Sequence, residues 1–219
     1  LNKSLATVLA EKNVSRKILD QFGICYYRDG SVYGAANPLW SHKISTWPAG
    51  ERLVYPLYDL HGIYKGLAFR TPGLKFFYDT TENVQPAEIL YGLHETKACI
   101  AEQEYAIVLE GMFDFLKLYE SGIGNVVTTQ GTYLSWDQMC LLRRFCRCAL
   151  ICYDPDDAGR EAAEKAADTL RRGGILPVIV DLDEEIDPDE YVMKHGKQKF
   201  LETCFRSLNA TDSKQSIDL

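Results

Sequence analysis

Two patterns of apolar and polar positions divide the chain. In its first hundred residues, apolar side chains come in short bursts separated by turns. Leu5, Val8, Leu9, Val14, Ile18, Leu19 and Phe22 recur at helical spacing, which predicts a helix or helix pair over 4–22 with Ser15 as a second cap. Residues 24–27, 52–58 and 63–70 read as strands, the last two joined as a hairpin through Asp59-Leu60-His61-Gly62. Residues 31–50, aromatic and punctuated by proline, are expected as a loop with short strands. A further short apolar piece falls at 75–78, and 88–99, with Leu90, Leu93 and His94, is expected as a helix.

From Glu104 onward the pattern alternates. Strand-like runs at 105–109, 125–128, 149–153 and 176–182 are separated by helical patterns at 112–121, 135–145 and 160–172. Ser135 is placed to cap the second of these helices. The third sets Ala162, Ala163, Ala166, Ala167 and Leu170 on one face. That succession predicts an α/β fold with a mainly parallel sheet flanked by helices, preceded by a mixed α+β subdomain. The final dozen residues are polar and expected to fray.

The chemistry falls at strand ends. The stretch ALICYDPDDAG (149–159) is an apolar strand that delivers Asp154 and Asp156 into a turn stiffened by Pro155. Glu110 follows the first strand of the alternating half, and Asp114 lies one helical turn further on. After the last strand, 181–189 is densely acidic and includes Asp187-Pro188-Asp189. Taken singly, these are ordinary features: Asp157 could cap a helix, Glu110-Gly111 could be a turn, and the acidic run could be a solvated loop. Taken together, they bring carboxylates to one edge of a parallel sheet, where they repel unless a hard cation neutralises them.

Charge sharpens this contrast. Residues 1–100 carry 11 Lys/Arg against 9 Asp/Glu, a net of +2, whereas 101–219 carry 13 against 22, a net of −9. An acidic half draws in polyanions only through bridging cations or local basic strips. An apolar content of 46% supports a genuine core. The seven cysteines form no Cys-x-x-Cys pair and are read as buried thiols in a reducing cytoplasm rather than as zinc ligands or disulfides. His42, His61, His94 and His195 show no metal-ligand spacing. No apolar run reaches the length of a membrane span, and a first residue other than Met suggests a piece of a longer protein.

VLEGMFDFLKL (108–118), the Gly131-Thr132 turn, CYDPDDAGREAA (152–163) and the later Asp-Pro-Asp resemble the Toprim domain shared by DnaG-type primases, type IA and II topoisomerases and certain nucleases. VLAEKNVSRKILDQFGICYY (8–27), ERLVYPLYDLHGIYKGLAFRTPGLKFFYDT (51–80) and ILYGLHETKA (89–98) resemble the preceding part of the DnaG-type catalytic core, in the same order. The resemblance implies a core that makes short RNA primers on single-stranded DNA from ribonucleoside triphosphates. It also implies partnership with a replicative helicase through regions outside this chain and a location in the bacterial or phage-host cytoplasm. Glu110, Asp154 and Asp156 match the family's catalytic metal-binding acids, and Asp114, Asp187 and Asp189 match its supporting acids. Lys12, Arg52, Arg70 and Lys75 fall where the family has basic residues that handle template or nucleotide phosphates.

Two departures stand out. Pro155 occupies the usual Gly position between the aspartates, and Pro86 stands where a Lys is frequent, with Lys97 a substitute cation. The expected organisation is a primase-core subdomain over 1–98, a Toprim subdomain over 99–205 and a polar tail over 206–219. Two Mg²⁺ or Mn²⁺ ions about 4 Å apart would activate a 3′-hydroxyl and stabilise departing pyrophosphate. A template groove between the halves, with Trp40, Trp47, Tyr55 or Tyr78 stacking on bases, is the accompanying expectation, with core packing as the alternative for those rings. The competing readings are a Toprim nuclease using the same acids and a non-catalytic DNA-binding scaffold.

Overall fold

Short apolar bursts become an antiparallel sheet and the alternating half becomes a parallel one. The computed structural model describes residues 5–34, 44, 49–72, 76–81 and 84–215, with the side chains of Phe76 and 211–215 outside the description. Lys75, Trp40, Trp47 and His42 therefore lie outside the described residues. Two compact units divide at 86/87, as Leu1–Pro86 and Ala87–Leu219.

In the first unit, α1 (Leu5–Lys12) and α2 (Arg16–Gln21) precede the sheet. Ser15 takes extended backbone angles and its hydroxyl accepts the Ile18 N–H, which stops α1 and α2 from merging. The sheet has the order β2-β1-β3-β4-β5, with β1 at Cys25–Arg28, β2 at Ser31–Gly34, β3 at Glu51–Tyr58, β4 at Tyr64–Arg70 and β5 at Phe76–Thr80. Strand β2 is one of the short strands expected within 31–50. Arg28 pairs with Ser31, so Asp29-Gly30 forms a two-residue hairpin loop, and both residues have positive φ, as that turn demands. The Asp59 carboxylate shapes the β3–β4 turn by accepting the N–H groups of His61 and Ile63. Cys25, Tyr27, Ile44, Val54 and Leu67 form one core cluster. Tyr55 is fully buried, so core packing and not base stacking is its role, whereas Tyr78 is partly exposed.

A 3₁₀ turn at Pro86–Glu88 straddles the division, and the first α-helix of the second unit is α3 at Leu93–Gln103. Residues 89–91, expected as helix, are not helical. Tyr91 exchanges both backbone hydrogen bonds with Thr128, adding a single bridge at the sheet edge. Gly92, at φ +85, makes the turn into α3. A Cβ there would fall 2.2 Å from the Phe115 ring.

Strands β6 (Tyr105–Leu109), β7 (Val126–Thr128), β8 (Cys148–Cys152) and β9 (Leu176–Ile179) form a parallel sheet of order β7-β6-β8-β9. They are connected by α4 (Met112–Glu120), α5 (Trp136–Leu142) and α6 (Asp157–Arg172). The chain steps from β6 to β7 on one side and then back across β6 to β8 on the other. With right-handed crossovers, that reversal puts α4 on one face of the sheet and α5 and α6 on the other. α5 packs on α6, and α4 packs on the last helix, α7 (Pro188–Gln215). This helix, broken at Gly196 (φ 80°, ψ 166°), runs through the stretch expected as acidic loop and tail. β6 and β8 are buried almost throughout, as strands covered on both faces must be. Among the described residues, no helix is long and apolar enough to cross a membrane.

Candidate metal centre

In an open parallel sheet, the crevice beyond the strands' carboxyl ends opens where successive connections leave in opposite directions. Here that point lies between β6 and β8. Leu109 pairs with Cys152, so both strands end level: Glu110 stands opposite Tyr153, and Asp154 comes one residue later. The Glu110 carbonyl is held by the Thr128 hydroxyl at 2.9 Å and the Gly131 N–H at 3.1 Å, which ties the β6 and β7 ends together. The Tyr153 hydroxyl lies 3.4 Å from that of Thr129.

Asp156 is the N-cap of α6, and its Oδ1 accepts the Gly159 N–H at 2.7 Å. The cap closes because residue 159 has no side chain. A Cβ there would sit 2.2 Å from the Asp154 carbonyl oxygen. Arg160 reaches back to the Pro155 carbonyl and pairs with Asp157 and Glu185, bracing the outer side of the turn.

Asp187, Asp189 and Glu190 at the start of α7 supply the rest of the acidic edge. One oxygen from each lies within 4.8 Å of the others. Asp187-Pro188 is a helix-start signature, with proline at the first helical position and acids in the first turn. Asp114 on α4 is nearly buried and Asp189 fully so. Asp114 Oδ1 accepts the Asp189 N–H at 3.0 Å, anchoring the start of α7 to α4.

Glu110 shows what this convergence does. Burial pushes its pKa up to about 7, with Asp154, Asp156 and Asp187 adding repulsion in that order. Its Oε2 is buried with no hydrogen-bond partner. Leaving a buried carboxylate oxygen unsatisfied is costly, and a divalent cation is the natural partner for an all-carboxylate donor set. Asp187, Asp189 and Glu190 are close enough to share such an ion, and the orphaned Glu110 oxygen is a suitable further donor. A cavity of about 470 Å³ opens beside the same turn, against Asp154, Pro155, Arg160, Asp183 and Glu185. Glu110 lies outside its lining, so the carboxylate cluster is the candidate centre.

Of the acids singled out from sequence, Glu110, Asp154, Asp156 and Asp187 interact electrostatically, and Asp114 and Asp189 are joined by a hydrogen bond. Glu190 was not singled out, although its place in the first turn after Asp-Pro was a readable signal. Lys12, Arg52 and Arg70 lie in the first unit, where the Arg52 guanidinium sits 5.2 Å from the Tyr27 ring centre, across from it on β1. Lys97 is on α3.

A Toprim-like family model matches residues 107–192. The DNA primase of Aquifex aeolicus is 38% identical over 154 residues, covering 68% of this chain and 31% of the relative. The chain thus spans about a third of the length of the curated relatives it matches. The solved Aquifex aeolicus primase, comprising zinc-binding and RNA polymerase domains, matches with a TM-score of 0.76 at 27% identity, over 92% of this chain and 55% of that one. A DnaG primase catalytic domain bound to ssDNA matches with a TM-score of 0.69 at 26% identity, over 93% and 74%. Domain match, sequence kinship and shared architecture together place the chain in the DnaG-type primase family, as a core containing a Toprim domain.

Proposed function

We propose that the chain is the RNA-polymerising core of a primase, joining ribonucleoside triphosphates on a single-stranded DNA template. The observation that carries this reading is Glu110: a carboxyl with one buried, unpartnered oxygen, repelled by three neighbouring aspartates. Glu110, Asp154 and Asp156 would hold the first cation, and Asp187, Asp189 and Glu190 would take a share of a second. Mg²⁺ suits the site because it binds through a few carboxylates and leaves positions for substrate phosphates. When bound, the ions supply charge neutralisation for a triphosphate and acidity for an attacking hydroxyl.

The protein's own part is positional. The β6 and β8 ends fix the acids, Asp156 couples its carboxylate to the start of α6, and Asp114 ties down the start of α7. Asp114 serves as a positioning residue, since one of its oxygens is engaged by the Asp189 N–H. Lys12, Arg52, Arg70 and Lys75 would contact template or nucleotide phosphates. Template binding is supported by kinship with the catalytic domain solved on ssDNA. A replicative helicase is the proposed partner of the longer protein. A reducing cytoplasm is the proposed compartment, where buried thiols such as Cys25, Cys146, Cys152 and Cys204 stay reduced.

The test supplies single-stranded template, labelled ribonucleotides and Mg²⁺ or Mn²⁺. Short metal-dependent oligoribonucleotides that disappear in Glu110→Gln and Asp154→Asn are expected. Template cleavage without synthesis would instead assign a nuclease.

A further inference from the structure

The second unit carries an excess of acid, and several of its cations are paired with it. Lys117, Arg160, Lys165, Arg171, Lys194 and Arg206 each pair with a carboxylate. Arg143, Arg144, Arg147 and Arg172 do not, among the described residues. The first three are brought together. The loop 143–147 enters β8 at its amino end, and Arg143 Nη1 donates to the Gly173 carbonyl at 3.3 Å, adjoining Arg172 at the end of α6. Arg143, Arg144 and Arg147 line a cavity of about 350 Å³ with Gly173 and Gly174. The one carboxylate in its lining, Glu104, forms no ion pair with them. Arg172 precedes the lining residue Gly173, and its guanidinium lies 5.8 Å from the ring centre of Trp136, a tryptophan 48% exposed at the start of α5.

Three exposed guanidiniums within five residues concentrate positive charge around one cavity of an otherwise acidic unit, which favours an anion among them. The cavity is at the opposite end of the sheet from the acidic cluster. Five residues of β8 separate the two, roughly 17 Å at about 3.3 Å per residue. An anion held here is therefore not the triphosphate reacting at the carboxylates. A cluster of arginines followed in the chain's fold by an exposed indole under a further guanidinium offers what a flexible strand needs: cations for phosphates and a ring for a base.

We infer that the Arg143–Arg144–Arg147 cavity, extended by Arg172 and Trp136, is a second contact site for the phosphodiester backbone of single-stranded nucleic acid, remote from the catalytic acids. The choice of occupant rests on the proposed function, in which the chain handles a single strand. The site would hold a stretch of strand several nucleotides away from the reacting one.

The test measures binding of fluorescein-labelled oligo(dT) of about 30 nucleotides to the whole chain across a salt series, for wild type, Arg144→Glu/Arg147→Glu and Trp136→Ala. Loss of two phosphate contacts should flatten the slope of log affinity against log salt by about 1.4. It should also weaken binding by about tenfold or more at low salt, and Trp136→Ala should weaken it with little change in slope. Arg144→Gln/Arg147→Gln serves if charge reversal prevents folding, as judged by circular dichroism. Wild-type binding that neither arginine pair alters overturns the inference while leaving the proposed function standing. Absence of any binding by the wild type, in Mg²⁺ or without it, overturns the proposed function itself.

Discussion

The carboxylate of Asp114 accepts the backbone N–H of Asp189, 75 residues away, at 3.0 Å, both groups buried. A helix start has N–H groups with no partner in their own helix, and here another helix supplies one. The start of α7, with Asp187, Asp189 and Glu190, is therefore tied to α4 by this bond. Asp114→Ala strands a buried amide and should destabilise the protein by about 1–3 kcal/mol. Asp114→Asn retains an acceptor oxygen and should recover most of that loss in urea unfolding. If Asp114 is a metal ligand and not a brace, the asparagine variant will unfold like wild type without metal yet gain little from Mg²⁺.

Neutralising a member of the acidic cluster should separate activity from stability. Glu110→Gln and Asp154→Asn should abolish primer synthesis and, in EDTA, raise the melting temperature above that of wild type by relieving repulsion. A fall in melting temperature of either variant in EDTA would contradict the crowding described at Glu110.

The pH dependence has a defined sign. Glu110 titrates at about 7 in the folded chain, against 4.5 as its ordinary value. Between those values the folded protein keeps a proton that the unfolded chain has released. Stability of the metal-free protein should thus decline as pH rises from 4.5 to 7 and level off above, and Glu110→Gln should flatten the decline. A divalent ion needs the carboxylate, so Mg²⁺ affinity should climb with pH through 7, with proton release measurable by calorimetry in buffers of different ionisation enthalpy.

Gly159 offers a case where a helix rule reverses. Replacing a helical glycine by alanine ordinarily gains up to about 1 kcal/mol. At 159 the added methyl would meet the Asp154 carbonyl oxygen at 2.2 Å, and backbone must move. Gly159→Ala should destabilise the chain and lower metal affinity together, since the displaced turn carries both Asp154 and Asp156.

The strands and the helices between them were legible because β6, β8 and α6 follow simple periods, and their carboxyl-end acids were legible with them. Two elements were not. Residues 89–91 are an apolar run too short to distinguish helix from strand by period, and the ring of Phe115 against Gly92, 23 residues away, decides the turn. α7 shows weak amphipathicity, is interrupted at Gly196, and begins in acids that read equally as loop. Its position depends on Asp114, a tertiary contact that no local pattern records. The arginine cavity has no local signature because Arg143 and Gly173, which it joins, are 30 positions apart.

Level endings of β6 and β8 make the spacing of Glu110 and Asp154 a property of the main chain. Neighbouring strands keep about 4.8 Å between them whatever their side chains. Apolar residues within those strands are thus at liberty to drift over evolutionary time, one Val or Ile for another, without disturbing the acids. Loss or gain of a single residue in either strand is a different matter. It would rotate one carboxylate to the opposite face of the sheet, so indels, not substitutions, should be what lineages of this protein never tolerate there.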